Sequence, residues 1–404
     1  MKAAIMGYGT IGSGVHEVLL RNREIVAKKA GETIEVKRVL DLRDFPGTPA
    51  ENMMAHDIKE ISGDPEIGIV VETMGGTKPA YDFVKACLEA GKHVVSSNKA
   101  LVAAHGTELL EIAREKKVSF LFEASVGGGI PILRTINESL AGEEIVEISG
   151  ILNGTTNYIL TKMCEEDWGF EEALKEAQAL GYAERNPEAD VEGFDTCRKI
   201  AILTAVATGK EVDYQKIPTE GITKITDLDF SYAARMGKSI KMLGSCVNVG
   251  GTVYAEAAPA LVSAKNPLYS VDGVFNGIMV TGNMLGVSMY YGSGAGKLPT
   301  ASAVVGDMIA AVLHGNEPEP FGWGREKLSI RPAGERPRRY FARFEGSREE
   351  KREVVEEAFG RVKWLVLEGM DEFAVLTCEE MTEKDFLAAA EKVGGLRQKI
   401  AAGR

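Results

Sequence analysis

The chain has 404 residues, 45% hydrophobic and 26% charged, with a formal net charge of −12. That length exceeds one ordinary core and calls for two or three domains, and the composition is that of a soluble globular protein. The negative excess excludes nucleic acid and anionic membranes as partners, since either would be repelled, so any phosphate must be held by local backbone donors.

Met1 leads almost directly into an apolar strand with no secretory pattern, and no apolar run approaches the roughly 18 residues of a membrane span. The five cysteines (Cys87, Cys164, Cys197, Cys246, Cys378) are scattered and never spaced as CxxC. The histidines show no HExxH pattern. A disulfide framework and a transition-metal site are therefore not expected, and a reducing cytoplasm is.

In chain order, residues 2–6 (KAAIM) read as a short buried strand. The turn Gly7-Tyr8-Gly9-Thr10-Ile11-Gly12 comes next, then a helix through Val15, Val18 and Leu19 towards Ala30. Further strands are expected at 35–40, 67–71, 93–96 and 118–123, and helices at 79–90 and 108–116. This alternation is the pattern of a doubly wound parallel sheet of Rossmann type. GxGxxG alone is a weak signal, but here it sits between a strand and a helix. The first glycine makes the turn, the second admits a pyrophosphate and the third lets helix and strand pack, while the helix N-terminus offers free N–H groups. At the end of the second strand the residues point two ways. Asp41 would accept from an adenosine ribose, as with NAD, whereas Arg43 would pair with the 2′-phosphate of NADP.

Ser96-Ser97-Asn98-Lys99 lies at another strand end, where ligands sit in such sheets. Next comes Glu123-Ala124-Ser125-Val126-Gly127-Gly128-Gly129-Ile130-Pro131. Its exposed carbonyls, with the Glu123 carboxylate, could hold a hard cation, or the turn could serve as an interdomain hinge. Past Pro131 the rhythm changes. A helix (132–140) leads to a strand (145–152), to Asn153-Gly154-Thr155-Thr156-Asn157, and to helices at about 155–166, 171–180 and 192–208. The stretch 222–293 is richer in strands, with 252–257 and 277–291 suggesting a largely antiparallel sheet. Gly292-Ser293-Gly294-Ala295-Gly296 then opens an apolar helix over 300–313.

The most informative segment is 181–199, with Glu184, Asp190, Asp195 and Lys199. Asp195 and Lys199 are four apart and share a helix face. The helix beyond them is nearly all apolar, so it should be buried and its opening charges must face a cleft or a partner. Carboxylates there suit a substrate ammonium, and a lysine suits a hydroxyl or carbonyl oxygen. A proline- and charge-rich linker (321–338) precedes a small module over 339–404. The module reads strand (339–345), helix (347–359), strands (361–367 and 371–378) and helix (382–400), a two-layer βαββα unit. The expected units are thus a dinucleotide-binding domain of 1–132 plus 294–320, a catalytic and dimerisation domain of α+β type at 133–293, and this module.

Six ordered blocks, namely the GxGxxG turn, SSNKALVA, EASVGGGIPI, GILNGTTNYIL, the 181–199 cluster and GSGAGKLPTASAVVGD, make the chain resemble homoserine dehydrogenases over about residues 1–320. The resemblance implies NAD(P)-dependent interconversion of L-homoserine and L-aspartate 4-semialdehyde, on the route to threonine, methionine and isoleucine, by a homo-oligomer, a dimer or a tetramer. It implies Lys199 as the proton-exchanging lysine with Asp195 beside it, Lys99 between substrate and nicotinamide, and Glu184 and Asp190 on the substrate ammonium. Cofactor contacts are expected from Gly7, Gly9, Thr10, Ile11, Gly12, Arg43, Thr73, Ser97, Lys99 and Gly296. A monovalent cation, sodium or potassium, is expected at Glu123 with the carbonyls of Val126, Gly128 and Ile130.

The last module resembles an ACT domain in element order. However, Glu345-Gly346-Ser347-Arg348-Glu349 replaces the effector-binding Pro-Gly loop, so threonine feedback through it is not implied. A dehydrogenase working through an acyl-enzyme is the rival enzyme reading, but it needs an activated cysteine in a glycine-rich turn, and none is so placed. A non-catalytic sensor would be favoured by loss of Lys99, Glu184 or Lys199, and all three are present.

Overall fold

Short apolar strands separated by amphipathic helices produce a parallel sheet in the first unit. The computed structural model describes residues 1–317 and 320–402, so positions 318–319 of the expected dinucleotide-binding domain and 403–404 of the expected module lie outside the described residues. The first unit runs β1 (Lys2–Met6), α1 (Thr10–Arg21), α2 (Arg23–Ala30), β2 (Glu35–Leu40), β3 (Met54–Ala55), α3 (Lys59–Ser62), β4 (Ile67–Glu72), α4 (Ala80–Glu89), β5 (His93–Ser96), α5 (Lys99–Lys116) and β6 (Phe120–Leu121). Its six strands are ordered β3-β2-β1-β4-β5-β6 and all are parallel. Strand order reverses between β1 and β4, which opens a crevice at their carboxyl ends. The glycine turn leaves β1 at that point and Thr73 leaves β4 beside it.

The second unit runs β7 (Ile145–Ile151), α6 (Gly154–Glu165), α7 (Phe170–Ala179), α8 (Glu188–Val191), α9 (Phe194–Thr208), α10 (Asp227–Arg235), β8 (Lys238–Val249), β9 (Thr252–Ser263), β10 (Phe275–Gly282) and β11 (Gly286–Ser293). Then α11 (Lys297–His314) returns to the first unit and lies along α1. Gly14 permits that contact, because a Cβ there would meet Lys297 atoms at 2.9 Å and the Ala301 Cβ at 3.2 Å. Phe321 and Trp323 pack edge-on against Phe122, with ring centres 5.0 and 5.6 Å away. β12 (Ile330–Pro332) then pairs in parallel with β9, so the stretch expected as a linker is tied down.

The chain ends with β13 (Arg339–Glu345), α12 (Arg348–Phe359), β14 (Val362–Leu365), β15 (Glu372–Thr377), α13 (Glu383–Val393) and β16 (Leu396–Ala402). Three expectations are corrected here. The helix expected over 132–140 is present at 133–139, but over Thr135–Ser139 it winds as a π-helix rather than an α-helix. The stretch expected as strand-rich from 222 opens with the helix α10. The last helix, expected to reach 400, stops at Val393, because Gly394 and Gly395 adopt φ of +69° and +73°, a left-handed backbone that ends a helix. Beyond them the chain extends into the strand β16, so the module is βαββαβ rather than βαββα.

That extra strand has architectural consequences. β16 pairs antiparallel with β13 and parallel with β9, merging both units into one mixed sheet ordered β11-β10-β7-β8-β9-β16-β13-β15-β14 with β12 also on β9. A buried polar knot reinforces the junction. Arg343 of β13 donates to Asp229 Oδ1 at 2.8 Å and to Thr226 Oγ1 at 2.6 Å at the start of α10, and it pairs with Glu372 of β15 at 3.2 Å. Gln398 of β16 donates to Asp229 and to the Lys224 carbonyl. Charges removed from water in this way persist only when paired, so the module is fastened to the catalytic unit rather than tethered.

Candidate active site

The cofactor end is built by glycine. Gly7 has φ +89°, and a Cβ at Gly12 would lie 2.0 Å from the Gly7 carbonyl oxygen, so only glycine lets α1 start this close to β1. Gly9 is the N-cap of α1 and no side chain caps it, which leaves the first N–H groups, at Thr10, Ile11 and Gly12, directed at the crevice. Thr73 Oγ1 donates to the Gly7 carbonyl at 2.7 Å and fastens the turn. Asp41 accepts from the Tyr8 N–H at 2.8 Å and from Arg43 Nε and Nη2 at 3.0 and 3.1 Å. Burial would raise its carboxyl, but Arg43 and the Tyr8 amide outweigh it and bring it down to about 2. The two residues read as rivals therefore neutralise each other. Ser97 and Lys99 flank Asn98, the cap of α5, whose Oδ1 accepts from the Leu101 N–H at 3.1 Å.

The chemical end is gathered around one carboxylate. Asp195, at the start of α9, is 2% exposed and lies 2.7 Å from Lys199 Nζ and 2.5 Å from Lys99 Nζ. Lys199 also donates to the Leu152 carbonyl at 2.7 Å. Asn153 Nδ2 donates to Asp190 at 2.7 Å and to Asp195 at 2.8 Å, while its Oδ1 caps α6 through the Thr156 N–H. Burial would raise Asp195, yet Lys199 and Lys99 overcome it and hold the carboxyl well below the ordinary range. Burial lowers Lys199 against the pull of Asp195. Burial acts downward on Lys99 as well, but Asp195 prevails and the net shift is upward. Asp190 is raised, by burial first and by Asp195 next. The site thus pairs a firmly ionised acid with one lysine made easier to deprotonate and one made harder.

Residues 7–123 match the family model of the homoserine dehydrogenase NAD-binding domain, and residues 131–309 match that of homoserine dehydrogenase. The homoserine dehydrogenase of Pseudomonas aeruginosa is 44% identical over 314 residues, covering 77% of this chain and 72% of that protein. That of Bacillus subtilis is 39% identical over 319 residues, covering 77% and 73%. The crystal structure of a homoserine dehydrogenase from Thiobacillus denitrificans superposes with a TM-score of 0.91 at 32% identity, covering 100% of this chain and 98% of that one. A hyperthermophilic archaeal homoserine dehydrogenase in complex with NADPH superposes at 0.66 with 28% identity, covering 78% and 98%. The chain belongs to the homoserine dehydrogenase family. It is an NAD(P)-dependent oxidoreductase.

Within this homoserine dehydrogenase the expected site residues do not all meet. Lys99, Asp190, Asp195 and Lys199 come together. Glu184 stands exposed in the bend after α7, held through its main chain by Gln178, and its carboxylate makes no bond to the described residues. Glu123 is held firmly. Its carboxylate, 1% exposed, accepts the N–H groups of Ile132, Leu133 and Arg134 at 2.6, 2.7 and 2.8 Å, so it braces the next turn. Asp307 of α11 accepts the Glu123 N–H at 2.8 Å and faces Arg134 at 3.2 Å.

The glycine-rich turn after Glu123 packs on the return loop. Gly128 lies so near Gly294 that a Cβ would sit 2.5 Å from its carbonyl, and Gly129 N–H donates to the Ser293 carbonyl at 3.1 Å. Gly296, with φ +120°, then opens α11. Sequence reasoning assigned no role to Asn153, although an Asn directly after a strand and before a helix is itself a capping signal. No helix among the described residues is long and apolar enough to cross a membrane.

Proposed function

We propose that the Lys99–Asp195–Lys199 cluster carries the proton chemistry by which this homoserine dehydrogenase interconverts L-homoserine and L-aspartate 4-semialdehyde. The observation supporting the reading is one buried carboxylate that holds two ammonium groups. A bound NAD(P)H supplies the hydride. As negative charge builds on the substrate oxygen, Lys199 stabilises it and yields a proton, and Asp195 keeps that lysine oriented. Lys99, more exposed, reaches the cleft between substrate and nicotinamide. Asp190 and the uncommitted carboxylate of Glu184 bind the substrate ammonium. Gly7, Gly9, Thr10, Ile11, Gly12, Thr73, Ser97 and Gly296 line the cofactor. In oxidation Lys199 must be neutral to accept the proton, and burial lowers its pKa. Homoserine oxidation is therefore expected to rise with pH through a value below the ordinary lysine pKa of about 10.4. Lys199→Ala is expected to lose that limb and about 10²–10⁴-fold in turnover; full turnover in a folded variant would reject the role.

Arg43 supports a preference for NADP(H). It is exposed, it lies 5.1 Å from the Phe45 ring, and a 2′-phosphate can replace Asp41 as its partner. Arg43→Ala is expected to raise KM for NADP about tenfold, from loss of a charge-assisted pair, and to leave KM for NAD nearly unchanged. Equal shifts for both would refute the preference.

A monovalent cation, sodium or potassium, fits the turn after Glu123 through main-chain oxygens only. The carbonyls of Val126, Gly128 and Ile130 accept no hydrogen bond from the described residues, and Glu123 contributes its carbonyl. At equal ionic strength, sodium or potassium chloride is expected to raise the melting temperature above its value in choline chloride, by linkage to the folded state; superimposable melting curves would dismiss the site.

Pairing of two copies is supported by β11, an edge strand at one end of the mixed sheet. Val287 and Tyr291 on it are more than half exposed, and Tyr291 stacks on Phe275 at 5.2 Å. An unprotected apolar edge invites a second strand. Sedimentation is expected to give at least twice the mass of one chain, with Tyr291→Lys shifting it towards a single chain.

A further inference from the structure

Glu72, the last residue of β4, is fully buried and has no basic partner among the described residues. In the sheet it stands between Met6 of β1 and Ser96 of β5. Its Oε2 lies 2.6 Å from Ser96 Oγ, and its Oε1 accepts the Met74 N–H at 2.8 Å and Asn98 Nδ2 at 3.3 Å. Its main-chain carbonyl accepts the Ser97 N–H at 3.2 Å. Asn98 extends the web, donating through Nδ2 to the Gly76 carbonyl at 2.6 Å and through its N–H to Ser96 Oγ at 3.0 Å. The same Asn98 caps α5, and the first residue of α5 is Lys99.

All of these bonds end on one of two loops, 73–76 or 96–99. Burying a carboxyl without a counter-charge is costly, and burial raises its pKa despite the donors from Ser96, Met74 and Asn98. A simple packing requirement at the end of β4 would be met by an apolar side chain at no such cost. A polar web that is fully satisfied instead specifies a single arrangement of the groups attached to it.

We propose that Glu72 is a positioning residue: through Ser96 and Asn98 it fixes the start of α5 so that Lys99 Nζ meets Asp195, and through Met74 it holds the 73–76 loop in register with that lysine. The inference rests on Lys99 acting in turnover, and the test separates the two. In the full-length protein, Glu72→Ala, Glu72→Gln, Lys99→Ala and the double variant Glu72→Ala/Lys99→Ala are compared for kcat and KM in homoserine oxidation. Glu72→Ala is expected to lower kcat about ten- to a hundredfold, the scale of a small misplacement of a reacting group, with KM for homoserine little changed. Glu72→Gln keeps an acceptor for Met74 and Asn98 and a polar atom opposite Ser96, and should recover most of the loss. In the Lys99→Ala background the Glu72→Ala change should add little, because the group it positions is gone.

Unaltered kcat in Glu72→Ala, or an equal loss in both backgrounds, overturns the proposal. Should Glu72→Ala fail to fold, Ser96→Ala, which removes the Oε2 contact together with the acceptor of the Asn98 N–H, must show the same dependence on Lys99 or the proposal falls. Full turnover in Lys99→Ala would instead reject the reading of Lys99, an outcome that needs no change at Glu72.

Discussion

The carboxylate of Asp195 sits where two units of the chain meet, and much of the structure serves to keep it ionised there. Lys99 reaches it from the first unit at 2.5 Å and Lys199 from its own helix at 2.7 Å. Burial alone pushes the pKa of so deep a carboxylate upward, and the two ammonium groups, Lys199 first and Lys99 next, keep it ionised. The ion pair across the cleft therefore sets the distance between α5 and α9 as well as the charge state of the site. It also explains why the pKa of Lys199 is lowered even though the lysine is paired. The one acid beside it is shared with a second lysine and with Asn153, so its attraction is divided while the burial penalty on the lysine stands in full.

Holding that distance falls to close backbone approaches that only glycine allows. Gly12 lets α1 begin against the turn after β1, Gly14 lets α11 lie on α1, and Gly128 fits under Gly294 where the chain returns. Each is a place where a Cβ would force elements of the cleft apart. The carboxyl groups beneath them act in the same direction: Glu123 gathers three consecutive N–H groups at the start of the second unit, and Asp307 from α11 accepts the Glu123 N–H. The return helix is thereby fixed to the segment that leads into the catalytic sheet.

These details are unevenly legible in the sequence. Asp195 and Lys199 can be found because a four-residue spacing at the mouth of an apolar helix leaves charges nowhere to go but a cleft. Lys99 can be found because strand ends in a parallel sheet face the ligand. Asp41 and Arg43 stay ambiguous for a physical reason: they bind each other, and a string of letters does not reveal that pairing. Glu72 reads as the polar end of a strand, and its burial depends on Ser96 and Asn98, which are distant in sequence. Glu123 reads as a cation ligand because its three amide partners are main-chain groups of the next turn, which leave no mark in the residue pattern. The final strand reads as helix because Leu396–Ala402 is short and its pattern makes sense only once β13 and β9 flank it.

That strand bears on what the last module can do. A regulatory domain that acts by swinging needs a junction that opens at little cost. Here β16 is bonded on both sides, and Arg343, Asp229, Glu372 and Gln398 form a largely buried knot across the seam. The loop that would start an effector site is occupied by the chain itself: Ser347 caps α12, Gly346 N–H donates to the Asp371 carbonyl at 3.1 Å, and Glu345 pairs with Arg397 at 2.8 Å. Any influence of the module on catalysis must therefore pass through the shared sheet. The path on that sheet is short. Ala257 of β9, three residues from Ala260, the partner of Ala401 in β16, accepts the Glu220 N–H at 2.8 Å, and Glu220 belongs to the loop packed under Gly193, the N-cap of α9, two residues before Asp195. A module paired into the sheet in this way, and knotted to α10 beside it, is joined for permanence rather than for motion.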